Sequence, residues 1–123
     1  MESKARDRIY GMLGFAMRAG KVTVGTEMVL RAVRQGKIKL VLISDGASEA
    51  TKKTLAQKCE FYKVEKITVD ADTDELGRLL GKTYAPATVG ISDEGFAREI
   101  RVAADTLAAE KTGRKEVFGD ENR

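Results

Sequence analysis

Ala32-Val33-Arg34-Gln35-Gly36-Lys37-Ile38-Lys39-Leu40-Val41-Leu42-Ile43-Ser44-Asp45-Gly46 is the stretch on which the fold turns. Ala32 and Val33 close the apolar face of a helix that Gly36 stops. Leu40 to Ile43 is an uninterrupted apolar run, the pattern of a strand buried on both faces. Ser44-Asp45-Gly46 then ends the run in a turn. A strand with no polar side needs a layer packed above it and another below, and helices supply both in an α/β/α arrangement.

The flanking segments repeat this alternation. Upstream, Ile9, Met12, Leu13, Ala16 and Met17 recur at helical spacing and predict an amphipathic helix over 4–19, with Ser3 as N-cap and Gly20 as stop. Lys21 to Val24 is a short β-branched stretch suited to an edge strand or a turn. Gly25 opens a second helix whose apolar face carries Met28, Val29, Ala32 and Val33. Downstream, Ser48 caps a third helix that runs through Tyr62, with Leu55, Cys59 and Tyr62 on one face. Lys66 to Val69 reads as a strand, and Asp72-Thr73 as the cap of a short helix bearing Leu76, Leu79 and Leu80 and stopped by Gly81. Ala87 to Ile91 is a further strand. Ser92-Asp93 caps a last helix through about Ala109, with Phe96, Ile100, Ala103 and Leu107 inward. No repeat or linker divides the chain, so residues 1–110 are expected to form one domain. The charged, aperiodic residues 111–123 are expected to form a flexible tail.

Composition removes whole classes of chemistry. The chain has 123 residues, no His, no Trp, one Cys and one Pro. Without His there is no Ser-His-Asp triad, no Cys-His pair and no imidazole-based metal site. A single thiol makes neither an intramolecular disulfide nor a Cys-rich zinc cluster, which favours a reducing, cytoplasmic setting. No apolar run approaches the ~20 residues that cross a bilayer, and residues 1–8 lack a signal-peptide core. No membrane partner, cofactor or metal is therefore expected, and a monomer is the simplest state.

The net charge of +3 hides an asymmetry. Residues 1–39 carry nine Lys/Arg against three acids, whereas the remainder carries thirteen against sixteen. A basic first third beside a mildly acidic remainder produces a one-sided field of the kind that attracts phosphate backbones. Solvated helix faces produce the same count.

Most candidate sites have plainer readings. Gly14 to Lys21 resembles a phosphate-binding loop only superficially. Its glycines enclose five residues instead of four, Val22 follows Lys21, and the segment continues a helix. Asp70, Asp72, Asp74 and Glu75 lack the order of a calcium-binding loop and suit helix capping better. Cys59 shares an apolar face with Leu55 and Tyr62 and has no His to act as base, so a buried structural role is expected. No nucleophile–base–orienter set is visible, and an enzyme is not expected.

Gly25-Thr26-Glu27-Met28-Val29-Leu30-Arg31 is different. A glycine at a helix start permits close approach and leaves first-turn amides open to phosphate oxygens. Thr26 adds a hydroxyl, and Glu27 can accept hydrogen bonds from guanine. Arg31, four residues on, shares its face. An ordinary helix start with an internal Glu27–Arg31 pair fits the same residues.

Taken with Gly-Lys-Val-Thr-Val before it, Ala32–Ile43 after it, Leu-Gly-Arg-Leu-Leu-Gly-Lys at 76–82 and Ala-Thr-Val-Gly-Ile-Ser-Asp-Glu-Gly-Phe-Ala at 87–97, the chain resembles a known family. It is similar to the ribosomal protein superfamily named for large-subunit proteins seven-Ae and thirty-e, and most closely to its small bacterial YlxQ-type branch. The resemblance runs from about Arg8 to Ile100. It implies a three-layer α/β/α sandwich with a four-stranded mixed sheet in a single domain. It also implies non-catalytic binding of structured RNA, in many members a kink-turn or ribosomal RNA of the translation machinery. The family reads RNA with the start of the second helix and the loop before the last strand. On this chain those are Gly25, Thr26, Glu27, Met28 and Arg31, with Tyr84, Ala85, Pro86, Ala87 and Thr88. Against the family pattern Gly-x-Asn-Glu-x-x-Lys, Glu27 stands where Asn is usual, Met28 where Glu is usual, and Arg31 where Lys is usual. Lys21, Arg34, Lys37 and Lys39 are expected to attract the RNA backbone. The alternative is a protein-interaction adaptor of the translation machinery, holding ribosomal or translation proteins, because Met suits adaptable binding surfaces.

Overall fold

The computed structural model describes residues 4–69, 77–82 and 86–112, with the side chains of residues 111 and 112 left aside. Its elements follow in the order α1 (Lys4–Arg18), β1 (Val22–Val24), α2 (Thr26–Arg34), β2 (Leu40–Ser44), α3 (Glu49–Tyr62), β3 (Glu65–Val69), β4 (Thr88–Ile91) and α4 (Glu94–Thr112). One sheet is ordered β1-β4-β2-β3, with β1/β4 and β2/β4 antiparallel and β2/β3 parallel. It is the four-stranded mixed sheet that the family resemblance implies.

Period-two alternation explains the two cores. Leu40 and Leu42 of β2 and Val89 and Ile91 of β4 face one side, where Ile9, Leu13 and Ala16 of α1 meet Ala97, Ile100 and Ala103 of α4. Val41 and Ile43 face the other, against Val29 and Val33 of α2 and Leu55 and Cys59 of α3. All five residues of β2 are buried, as its unbroken apolar run requires. The fold is thus the three-layer α/β/α sandwich expected from sequence.

Helix ends follow local rules. At α2 the Lys37 N–H donates to the Ala32 carbonyl and the Gly36 N–H to that of Val33, each at 3.0 Å, the paired bonds of a Schellman stop. Ser48 caps α3 by accepting from the Thr51 N–H at 3.1 Å, and Asp93 Oδ2 accepts from the Phe96 N–H at 3.0 Å at the start of α4. α4 continues to Thr112, beyond the Ala109 end expected from sequence. The Ser3 cap, the Asp72-Thr73 cap and residues 113–123 lie outside the described residues. Of the short helix expected after Asp72, residues 77–79 are helical and Leu80 is buried.

One close approach sets α2 against the sheet, and a charge cluster ties α4 to edge strand β3. A Cβ on Gly90 would lie 2.9 Å from Ile38 Cδ1 and 3.4 Å from both Val29 γ-carbons. Hydrogen at this position lets α2 pack close to β4. On the far side of the sheet, Arg101 of α4 pairs with Glu94 at 3.2 Å and places Nε 2.6 Å from Glu65 Oε1 of edge strand β3.

Candidate nucleic-acid interface

β1 ends at Val24, in register with Val89, and the chain turns into α2 at Gly25. Gly25 has φ 104° and ψ 141°, a region that residues with a Cβ adopt only under strain. Its N–H donates to the Thr88 carbonyl at 2.9 Å, and its carbonyl accepts the first helical bond, from the Val29 N–H, at 2.9 Å. One residue on, Thr26 Oγ1 lies 2.8 Å from Thr88 Oγ1. Thr88 is wholly buried, on the sheet face that α2 covers. The start of α2 and the start of β4, 62 residues apart in sequence, are therefore tied by two hydrogen bonds.

Glycine at the N-cap offers no side chain to the first-turn amides. Among the described residues no group accepts from the N–H groups of Thr26, Glu27 and Met28 at the positive end of the helix. Along the outer face, Glu27, Leu30, Arg31 and Arg34 line a cleft of about 310 Å³. Glu27 and Arg31 are both exposed, and among the described residues no ion pair joins them despite their i,i+4 spacing. The internal pairing considered from sequence is not formed, which leaves both charges facing solvent. Met28 is 50% exposed on the same first turn.

On the β4 side, Pro86 is buried and Ala87 is half-buried against the α2–α3 core. The Ala87 carbonyl accepts from the Ser44 N–H at 2.9 Å, joining this end to β2. Tyr84 and Ala85 lie outside the described residues. Lys21, Lys37 and Lys39 are exposed but sit elsewhere. Val22 and Leu40 both pair with Ile91, at the opposite end of β4 from Thr88. That end is about 10 Å away, three residues at ~3.3 Å each. Arg34, in the last turn of α2, lines the cleft with Glu27 and Arg31.

Sequence reading missed two features here. The Thr26–Thr88 hydroxyl pair has no local signal, because only the sheet brings its partners together. The stack of Arg18 on Phe15, with 4.8 Å from guanidinium carbon to ring centroid, was legible in their i,i+3 spacing. Cys59 is buried as expected, and burial pushes its thiol above the ordinary value. Among the described residues, no group of three or more His, Cys, Asp or Glu is placed to hold a metal, and no helix is long and apolar enough to cross a membrane.

The three-layer α/β/α sandwich, with its second helix opening at a glycine N-cap beside the last strand, defines the class of fold. The chain belongs to the ribosomal protein L7Ae/L30e/S12e/Gadd45 family, whose model matches residues 7–101. It is 38% identical over 91 residues to the RNA-binding protein YlxQ of Bacillus subtilis, covering 74% of this chain and 89% of that one. It is 35% identical over 96 residues to the large ribosomal subunit protein eL30 of Yarrowia lipolytica, covering 75% and 84%. A solved structure of a Bacillus halodurans protein of unknown function superposes with a TM-score of 0.74 at 35% identity, covering 80% and 97%. These relatives mark a non-enzymatic family of the bacterial YlxQ type.

Proposed function

We propose that this protein binds structured RNA, without catalysis, as a cytoplasmic component of the translation machinery. In this reading the start of α2 and the approach to β4 form the reading end. The observation that carries it is the uncapped first turn of α2, pinned to Thr88, with Arg31 exposed on the same helix and in no ion pair among the described residues. Open amides at a positive helix end receive phosphate oxygens, and a free guanidinium forks onto phosphate or guanine. Relatives named as RNA-binding and ribosomal proteins support the same reading.

The finer reading is a sharply kinked RNA with tandem G·A pairs. Glu27 and Met28 bear on it directly, since neither offers the amide and carboxylate usual at those positions. Titration with ribosomal and kink-turn RNAs at low salt tests the reading. Saturable binding weakened roughly 5- to 100-fold by Arg31→Ala is expected, on the ~1–3 kcal/mol scale of a lost bidentate contact. Absence of saturable binding to either RNA sinks the proposal. Glu27→Asn with Met28→Glu should raise discrimination against an RNA whose G·A pairs are replaced. Half-exposed Met28 favours the adaptor as second reading. Partner capture that survives nuclease and is lost in Met28→Glu would support it.

A further inference from the structure

The end of the sheet opposite Thr88 holds a cluster of cations that the reading end does not use. Lys21 precedes β1 and Lys39 precedes β2, the two neighbours of β4. The Lys21 carbonyl accepts from the Ser92 N–H at 3.0 Å, and the Lys39 N–H donates to the Ile91 carbonyl at 2.7 Å. The two lysines thus flank the end of β4, two strand spacings or about 10 Å apart. Arg18 joins them across the tight turn that ends α1, where the Lys21 N–H donates to the Ala16 carbonyl at 2.9 Å. Lys37 joins them from the turn after α2.

All four cations are exposed, and among the described residues none is in an ion pair. The two acids that follow β4 at this end, Asp93 and Glu94, are engaged, and Glu65 beside the start of β2 pairs with Arg101, while exposed Glu60 closes α3 on the β3 side. Asp93 caps α4, and Glu94, although within electrostatic reach of Lys39, is hydrogen-bonded by Arg101. The reading end, by contrast, exposes Glu27 and Asp45. Phe15, 51% exposed under Arg18, adds a flat apolar surface beside the cations. Cations interleaved with an aromatic suit a nucleic-acid backbone. The two ends stand more than one Debye length apart at physiological salt, where that length is about 8 Å. They sit at opposite ends of β4.

We propose that Arg18, Lys21, Lys37 and Lys39 form a second RNA-contact surface, which holds the phosphate backbone of an RNA helix other than the one at the reading end. The protein then joins two RNA segments. This inference rests on the RNA-binding reading above, and its test separates the two. The probes are a minimal kink-turn RNA with short stems and an unbulged A-form duplex, differently labelled, at 0.15 M salt. Wild-type protein should carry both at once. Lys21→Ala/Lys37→Ala/Lys39→Ala should lose the duplex and keep the kink-turn RNA, and Arg31→Ala should do the reverse. Three lost phosphate contacts at ~0.9 each should reduce the log–log salt slope of duplex binding by about 2–3. Any of these results overturns the proposal: no duplex binding by the wild type, an unchanged slope in the triple variant, or competition between the probes for one site. Binding of polyglutamate in place of the duplex also overturns it, in favour of an acidic protein partner. Lysine-dependent duplex binding with no kink-turn binding upholds this surface and removes the kink-turn reading. Matching thermal melts of the variants exclude misfolding as the cause.

Discussion

Gly25 shows how one backbone angle shapes the candidate site. At φ 104° no atom of the described residues beyond its chain neighbours lies within 4 Å of the position a Cβ would occupy, so the demand for glycine is conformational and not steric. Gly25→Ala should cost about 1–3 kcal/mol in urea unfolding, the range for a residue held in that region. RNA affinity should fall with it, because relief of the strain moves the first turn away from Thr88. Lys63 presents the opposite case. It ends α3 at φ 60° and ψ 44°, where its side chain is at a disadvantage. Lys63→Gly should raise stability by about 0.5–1 kcal/mol, visible as a higher Tm. Cys59 should resist alkylation in the native protein near neutral pH, checked by mass spectrometry, because burial keeps its thiol protonated. Since its native pKa is raised, its contribution to stability is complete below the ordinary value of 9.0 and is lost as pH climbs through the native one.

Helices and strands were legible wherever their signal was local. The unbroken run of β2, the Ser48 and Asp93 caps and the glycine stop after α2 all appear where residue types demand them. β1 was legible only as an edge strand or a turn, because three residues carry too little pattern. Its pairing with β4 settles it as a strand. The tie between α2 and β4 was not legible. Thr26 and Thr88 each read as an ordinary polar residue until antiparallel pairing brings them to 2.8 Å. Thr88→Val should leave Thr26 without its partner and cost about 1 kcal/mol, with weaker RNA binding if the joint orients the first turn. Gly90→Ala should cost about 1 kcal/mol, at the low end for overpacking. Ile38 can swing its terminal methyl aside, whereas β-branched Val29 yields less readily.

Charge organises the molecule as a whole. The Arg101 hydrogen bond holds the Glu94 carboxyl below the ordinary carboxylate range, and the same bond raises Arg101. A depressed carboxyl contributes stability above its unfolded pKa and loses it as pH falls through the folded one. Arg101→Met should therefore flatten the acid limb of a stability–pH curve, measured by thermal melts at stepped pH. The basic surplus of residues 1–39 was visible in composition, but its division between two ends of the sheet was not. Sequence order places Lys21 four residues before Gly25, yet β1 carries them to opposite ends. The sequence alone determined the layer architecture, the helix caps and stops and the glycine at the second helix, since each depends on side-chain periodicity or on one residue's backbone freedom. Strand order, the pairing of Thr26 with Thr88 and the separation of Arg31 from the lysines came only with the folded sheet. Those features depend on contacts between residues distant along the chain, which no local pattern encodes.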